Sequence, residues 1–130
     1  MKVAVIDDDP DMLKVIGVIL RTHGFEVVQA QSGVDGYHMV RREKPDVVLL
    51  DIMMPDIDGY EVCRRLKLDE ATSGIPVIFV SAKTGEEHIK KGLSLGAQGY
   101  ITKPFRPDGL IKKIRELTET VEDPGSARDS

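Results

Sequence analysis

Short runs of apolar residues recur along the chain and alternate with longer segments of helical periodicity. The five runs are Val3–Ile6, Phe25–Val28, Val47–Leu50, Val77–Val80 and Tyr100–Ile101. The first, third and fourth runs are continuously apolar and rich in valine or isoleucine, which is typical of strands buried on both faces of a parallel sheet. The pattern therefore predicts five short strands, most of them buried.

The segments that follow these runs carry apolar residues at the i, i+3, i+4 spacing of an amphipathic helix. The clearest sets are Met12, Leu13, Ile16, Ile19 and Leu20 after the first run, Tyr60, Cys63 and Leu66 after the third, and Leu110, Ile111, Ile114, Leu117 and Val121 after the fifth. The predicted order is βαβαβαβαβα. Because such crossovers are right-handed, helices should cover both faces of a doubly wound parallel sheet, an α/β fold.

Capping residues mark the boundaries of the predicted helices. The N-cap signals are Asp9 before Pro10, Ser32 with Asp35, Asp58 with Glu61, and Thr84 with Glu87. Gly24 and Gly96 stand where helices should end. The sequence thus predicts one domain over residues 1–121, and the polar segment 122–130 is interpreted as a disordered tail or the stub of a linker.

Composition narrows the classes of function. The 130 residues include 22 Asp and Glu against 18 Lys and Arg, a net charge of −4, which argues against direct nucleic-acid binding. One cysteine excludes an internal disulfide framework and a cysteine-rich zinc site. No apolar run approaches the length of a membrane span, and the opening residues do not read as a signal peptide. We therefore expect a soluble protein in the reducing cytoplasm, with no membrane partner.

Polar residues of the kinds that bind metals or carry out catalysis follow four of the predicted strands. Asp7, Asp8 and Asp9 follow the first strand, Asp51 the third, Ser81 the fourth and Lys103 the fifth. Parallel sheets bind ligands beyond the carboxyl ends of their strands, so these side chains should meet at one edge. Crowded carboxylates repel one another unless a cation neutralises them, and a set of oxygen ligands without histidine or cysteine favours Mg²⁺.

This combination is suited to phosphoryl transfer onto a carboxylate. An aspartate can act as a nucleophile and become an acyl phosphate, while a metal ion, a lysine and a hydroxyl cancel the charge on the phosphoryl oxygens. Each residue taken alone also has a purely structural interpretation, and for Asp9, directly before Pro10, helix capping is the better one. The joint placement at separate strand ends favours an aspartyl-phosphate site.

Five segments that contain these residues resemble the receiver domain of bacterial two-component response regulators. They are Val5–Pro10 (VIDDDP), Pro45–Pro55 (PDVVLLDIMMP), Asp58–Glu61 (DGYE), Ile75–Ala82 (IPVIFVSA) and Gly96–Phe105 (GAQGYITKPF). The resemblance extends over about residues 2 to 121. It implies a flavodoxin-like, CheY-like (βα)5 fold with the strand order 2-1-3-4-5.

The resemblance also implies an acceptor and a metal site. Asp51 matches the aspartate that accepts the phosphoryl group. Asp8 would bind Mg²⁺ directly and Asp7 largely through water. The backbone carbonyl of Met53 would complete the metal site, so the identity of its side chain is not critical.

Three further positions match residues that respond to phosphorylation. Ser81 matches the hydroxyl residue that turns to a phosphoryl oxygen, and Lys103 matches the lysine that pairs with the phosphoryl group. Tyr100 matches the aromatic switch residue, which is outward in the inactive form and inward in the active one. The Lys103–Pro104 peptide bond is usually cis in this family. The fourth helix, fifth strand and fifth helix would form the output surface.

The family also implies partners. The phosphoryl donor would be a phosphohistidine on a sensor histidine kinase or a histidine phosphotransfer protein, and an effector protein or domain would read the output. Such a domain catalyses its own phosphorylation and dephosphorylation and is not a turnover enzyme. The sequence leaves a phosphorylation-dependent dimer undecided. Ala97-Gln98-Gly99 lacks the acidic pair of the subfamily that dimerises through the output surface, which argues against that dimer mode. The kinase, the output pathway, the phosphoryl lifetime and attachment to a longer regulator are not determined by the sequence.

Two other functions compete with a signalling switch. A phosphatase of the haloacid dehalogenase type would use a first-strand nucleophile, but the chain reads Asp7-Asp8-Asp9-Pro10 without the expected glycine. A binding module that works without phosphorylation would not require the full set of acids, hydroxyl and lysine. Stoichiometric labelling distinguishes a switch from both alternatives.

Overall fold

A computed structural model describes residues 1–119, and all structural statements below concern this part of the chain. Five strands alternate with five helices, as the apolar pattern predicted. The elements are β1 (Lys2–Ile6), α1 (Pro10–Thr22), β2 (Glu26–Ala30), α2 (Gly33–Glu43), β3 (Val47–Leu50), α3 (Gly59–Leu68), β4 (Val77–Ser81), α4 (Glu86–Ser94), β5 (Gly99–Thr102) and α5 (Pro107–Glu119). The predicted tail, 122–130, and Val121 lie outside the described residues.

The strands form one parallel sheet in the order β2-β1-β3-β4-β5. This confirms the flavodoxin-like α/β fold and its strand order. Alternate residues of β1 enter opposite cores: Val3 and Val5 pack with α1 and α5, while Ala4 and Ile6 pack with α2 and α3. Because both faces are covered, the central strands are buried throughout, which explains their unbroken apolar runs.

The second strand lies further along the chain than the apolar run suggests. The run predicts Phe25–Val28, whereas the strand extends from Glu26 to Ala30. Pairing with β1 determines this end, and Gln29 lies opposite Val5 in the ladder. The Gln29 side-chain amide donates a 2.7 Å hydrogen bond to the Leu13 carbonyl of α1. A polar residue therefore continues the strand because its side chain has a partner.

The predicted N-cap residues are confirmed at α1, α2 and α3, but the one predicted for α4 is not. Asp9, Ser32 and Asp58 each accept a hydrogen bond from a backbone N–H in the first turn of their helix. The prediction that Thr84 caps the fourth helix is wrong. Gly85 is the N-cap there, with φ +107°, and no side chain caps the helix. Glycine adopts this backbone geometry without strain, which moves the helix start beyond Thr84.

Two glycines with positive φ follow the ends of α1 and α4. Gly24 and Gly96 adopt φ of +88° and +103°, as expected of glycines that end helices. Within residues 1–119, no helix has the length and apolar character needed to cross a bilayer.

Candidate functional site

The carboxyl ends of β1 and β3 bring the predicted acidic residues together. Ile6 lies opposite Leu50 in the sheet, and the Asp51 N–H donates a 2.9 Å hydrogen bond to the Ile6 carbonyl. Asp7 and Asp51 therefore leave neighbouring strands at the same level. Carboxylate oxygens of Asp7, Asp8 and Asp51 all lie within 4.8 Å of one another.

Lys103 reaches this acidic cluster from the end of β5. Its Nζ lies 2.9 Å from Oδ2 of Asp7 and 3.6 Å from Oδ2 of Asp51. Asp7 and Asp51 are only 2% and 8% exposed, whereas Asp8 is exposed. The Lys103–Pro104 peptide bond is cis, as the sequence resemblance predicted. The structure thus brings together four of the predicted site residues, from three strand ends.

The electrostatics of the cluster reflect an excess of negative charge. Burial raises the pKa of Asp51, and the neighbouring Asp7 carboxylate raises it further, while Lys103 opposes both effects. Burial by itself lowers the pKa of Lys103, but the hydrogen bond with Asp7 and the charges of both carboxylates outweigh it and leave that pKa raised. A further positive charge at the cluster would favour the ionised form of Asp51.

The donor set of this cluster fits a hard divalent cation. All three side chains offer carboxylate oxygens, and the exposed Asp8 leaves one side open to water ligands. Mg²⁺ favours this combination of a few carboxylates with waters and phosphate oxygens. Met53 lies in the loop after β3 and is 58% exposed, so it is not part of the core. The role of its carbonyl as a metal ligand stays a prediction.

Ser81 and Tyr100 lie on the neighbouring strands β4 and β5. Ser81 closes β4, is 1% exposed, and its Oγ accepts a 3.1 Å hydrogen bond from the Lys83 N–H. The Tyr100 ring packs on the Phe79 ring with 5.9 Å between centroids, and its hydroxyl donates a 2.6 Å hydrogen bond to the Lys83 carbonyl. The tyrosine therefore lies inward against the core, joined to the loop that follows Ser81.

The contact between α4 and this part of the sheet depends on Gly92, which sequence reasoning treated only as a helix-weakening residue. A Cβ at this position would lie 2.8 Å from the Phe79 ring and 3.5 Å from the Tyr100 ring. Only glycine allows α4 to approach the aromatic side chains this closely. Sequence alone could not reveal this, because the contacts join three elements that are distant in the chain.

A cleft beside the acidic cluster gives access from solvent. Its volume is about 480 Å³, and its walls come from Asp8, from the loop after β3 and from α4. On its far side the Tyr60 hydroxyl lies 3.3 Å from Nδ1 of His88, and the Lys91 ammonium lies 4.4 Å from the centroid of the Tyr60 ring. The cleft leaves the exposed side of the cluster free for an incoming group.

The fold and the site define an α/β domain of the flavodoxin-like class with an acidic site at the carboxyl edge of its sheet. The family model described as "Response regulator receiver domain" matches residues 3–115, and the chain therefore belongs to that family. Membership gives it the general role of a phosphoryl-accepting switch of two-component systems.

Proteins of different lengths are similar to this chain. The chain is 37% identical over 122 residues to the DNA-binding response regulator MtrA of Mycolicibacterium smegmatis, which is 94% of this chain and 52% of MtrA. It is 41% identical over 116 residues to protein PilH of Pseudomonas aeruginosa, which is 89% of this chain and 96% of PilH. The chain thus spans about half the length of MtrA and nearly all of PilH.

A solved structure supports the same assignment. The BeF3-activated N-terminal receiver domain of RstA from Klebsiella pneumoniae superimposes with a TM-score of 0.86 at 31% sequence identity. The match covers 92% of this chain and all of that domain, 100% of its length. The similarity therefore extends across the whole described sheet and its helices.

Proposed function

We propose that Asp51 accepts a phosphoryl group from a phosphohistidine on a sensor histidine kinase or a histidine phosphotransfer protein, with Mg²⁺ bound by Asp7, Asp8 and Asp51. The observation that carries the proposal is the meeting of three carboxylates within 4.8 Å, with the Lys103 ammonium 2.9 Å and 3.6 Å from two of them. Such a cluster is unfavourable without a cation, and it surrounds one carboxylate with the groups that phosphoryl transfer needs.

The two oxygens of Asp51 have different surroundings. Oδ1 accepts a 2.8 Å hydrogen bond from the Ile52 N–H, while Oδ2 lies on the side of Lys103. We assign Oδ2 as the nucleophile. It forms a bond to phosphorus as the N–P bond of the donor breaks, and the imidazole nitrogen keeps the electron pair and takes a proton. Bound Mg²⁺ would supply neutralisation of negative charge, and Lys103 would pair with a phosphoryl oxygen.

The new charge would be transmitted to α4, β5 and α5. Ser81 turns its hydroxyl towards the phosphoryl group, which changes the loop that Tyr100 holds through the Lys83 carbonyl. This shifts an equilibrium between two states of the same fold. The surface formed by these three elements would bind an effector protein or domain. In this role the chain modifies itself and does not turn over a separate substrate.

Intact mass after incubation with acetyl phosphate and Mg²⁺ tests the proposal. We expect one phosphoryl adduct on the wild type, none on Asp51→Asn and none when EDTA removes the metal. Asp9→Asn is the matched control, because it changes a neighbouring aspartate but keeps a side-chain oxygen that accepts the hydrogen bond from the Asp11 N–H at the start of α1. Loss of Asp8 in Asp8→Ala should raise the Mg²⁺ concentration needed for labelling.

Two outcomes would contradict the proposal. An undiminished adduct on Asp51→Asn would place the acceptor elsewhere. Multiple turnover of a phosphomonoester in excess, instead of stoichiometric labelling, would indicate a phosphatase.

A further inference from the structure

Asp56, in the loop between β3 and α3, binds the first turn of α2. Its Oδ1 accepts a 3.0 Å hydrogen bond from the Gly33 N–H, and its Oδ2 accepts a 2.9 Å bond from the Val34 N–H. These N–H groups lie at the positive end of the helix, where a carboxylate is favoured. The hydrogen bonds, with that of Val34 the strongest influence, lower the pKa of Asp56 to about 2.

Gly33 provides independent support for a close fit between the loop and α2. A Cβ at this position would lie 2.7 Å from the Ile57 carbonyl oxygen, so any larger residue would push the loop away. The start of α2 is thus shaped to receive the loop at two points. One is the pair of hydrogen bonds that the Asp56 carboxylate accepts, and the other is the close contact with the Ile57 backbone.

The rest of the loop has few hydrogen bonds to the fold, although Met54 and Ile57 pack against the core. At its start the Ile52 carbonyl accepts a 2.7 Å hydrogen bond from the Gly59 N–H, which fixes the base of the loop. Within residues 1–119, the hydrogen bonds that join the segment 53–57 to other parts of the fold are the two accepted by Asp56. Met53 lies between these attachments, and its carbonyl is the proposed backbone ligand of the metal.

We propose that Asp56 is a positioning residue for the metal site, because it holds the loop that presents the Met53 carbonyl. This inference rests on the proposed function. Mg²⁺ requires nearly ideal octahedral geometry, so a ligand on a loosened loop binds it less well. Groups that orient metal ligands typically change metal affinity by about 10-fold to 100-fold when they are removed. Asp56 touches no reacting atom, so the chemical step itself should be retained once metal is bound.

The test measures Mg²⁺ binding by isothermal titration calorimetry, and also the initial rate of labelling by acetyl phosphate as a function of Mg²⁺ concentration. For Asp56→Ala we expect the half-saturating Mg²⁺ concentration to rise about tenfold, the lower end of that range. The rate at saturating Mg²⁺ should stay within about twofold of the wild type. Asp56→Asn, which offers one acceptor oxygen in place of two, should show a smaller rise in the same direction.

Ser32→Ala is the matched control, because Ser32 caps the same end of α2 through the Asp35 N–H and, within residues 1–119, makes no hydrogen bond to the loop. It should weaken α2 and leave the Mg²⁺ dependence unchanged. The inference is overturned if Asp56→Ala and Ser32→Ala show the same Mg²⁺ dependence, or if the saturated rate falls while the half-saturating concentration stays constant. If Asp56→Ala does not fold, Asp56→Asn decides by the same criterion. A wild type that fails to label contradicts the proposed function instead.

Discussion

The two ends of the sheet hold charged clusters of opposite character. At the amino end, the Lys2 ammonium lies 3.0 Å from Glu43 and 4.0 Å from Glu26, and all three side chains are partly or largely exposed. At the carboxyl end, the largely buried Asp7 and Asp51 share one ammonium group, that of Lys103. Each set places two carboxylates around one ammonium group, but the first set lies largely in water. The second lies in a partly dry environment, and the Asp8 carboxylate adds further negative charge there.

This difference separates a stabilising contact from a functional one. Partly exposed ion pairs such as Lys2–Glu43 contribute modestly to stability and lower the pKa of the carboxylate. Buried carboxylates that repel one another raise the pKa of Asp51, and they reduce stability until a cation binds. The carboxyl end is therefore the place where stability and binding oppose each other, as is common at functional sites.

The largest expected effect comes from the start of α3, beside the acidic cluster. In Gly59→Ala the new Cβ would collide with the Asp51 carbonyl oxygen and lie 2.8 Å from the Ile52 Cα, both of them backbone atoms. Backbone cannot move aside as a side chain can, so we expect a loss of about 3 kcal/mol in the free energy of unfolding. Urea denaturation measures it.

The matched substitution lies at the other end of the sheet. A Cβ at Gly74, in the connection that leads to β4, meets nothing within 4 Å. Gly74→Ala should therefore change stability by no more than about 0.5 kcal/mol. Similar losses in both variants would show that close backbone approach is not a special property of the carboxyl end.

Removal of the shared ammonium group should have the next largest effect. Lys103→Ala leaves Asp7 and Asp51 without their cation, and we expect the metal-free protein to lose about 2 kcal/mol of stability. This is below the roughly 3–5 kcal/mol typical of a fully buried pair because the Lys103 side chain is 16% exposed. Urea denaturation in EDTA measures the loss, and saturating Mg²⁺ should reduce it.

Lys2→Ala is the control for charge removal at the amino end. Its loss should be smaller and independent of Mg²⁺, since its partners are better solvated. Equal losses for the two lysines, or a Lys103→Ala loss that Mg²⁺ does not reduce, would contradict the contrast between the two clusters.

Neutralisation of the acceptor should act in the opposite direction. Asp51→Asn removes one of the repelling charges and keeps the shape of the side chain, so we expect a gain of about 1 kcal/mol in EDTA, a typical size for a single substitution. Thermal unfolding with and without Mg²⁺ provides the measurement. Mg²⁺ should stabilise the wild type more than the variant, because binding to the folded state alone raises stability. A variant less stable than the wild type in EDTA would refute this account.

Sequence reasoning predicted the features that depend on neighbouring residues or on the position of the strand ends. The buried strands follow from continuous apolar runs such as Val47–Leu50, and the acidic cluster follows from the rule that parallel strands end at one edge. It did not predict features that depend on a contact with a residue distant in the chain. Gln29 extends β2 because its side chain reaches Leu13, and Asp56 binds a helix start more than twenty residues earlier in the chain. Neither contact leaves a pattern in the neighbouring sequence.

The smallest expected effect concerns the pH dependence at the amino end. The hydrogen bond from Lys2, aided by its charge, lowers the pKa of Glu43 below its ordinary value of 4.5. Its stabilisation is therefore complete above that ordinary value and is lost as the pH falls through the lowered pKa. Thermal scans should show Glu43→Gln slightly less stable than the wild type at about pH 7, with the difference vanishing in acid.

The pKa of Asp51 is raised, so its ionised form is the one that destabilises the folded state. Asp51→Asn should therefore be more stable than the wild type at neutral pH in EDTA, and this gain in stability should also vanish in acid. Differences of the same sign at neutral pH would show that the two ends of the sheet are electrostatically alike.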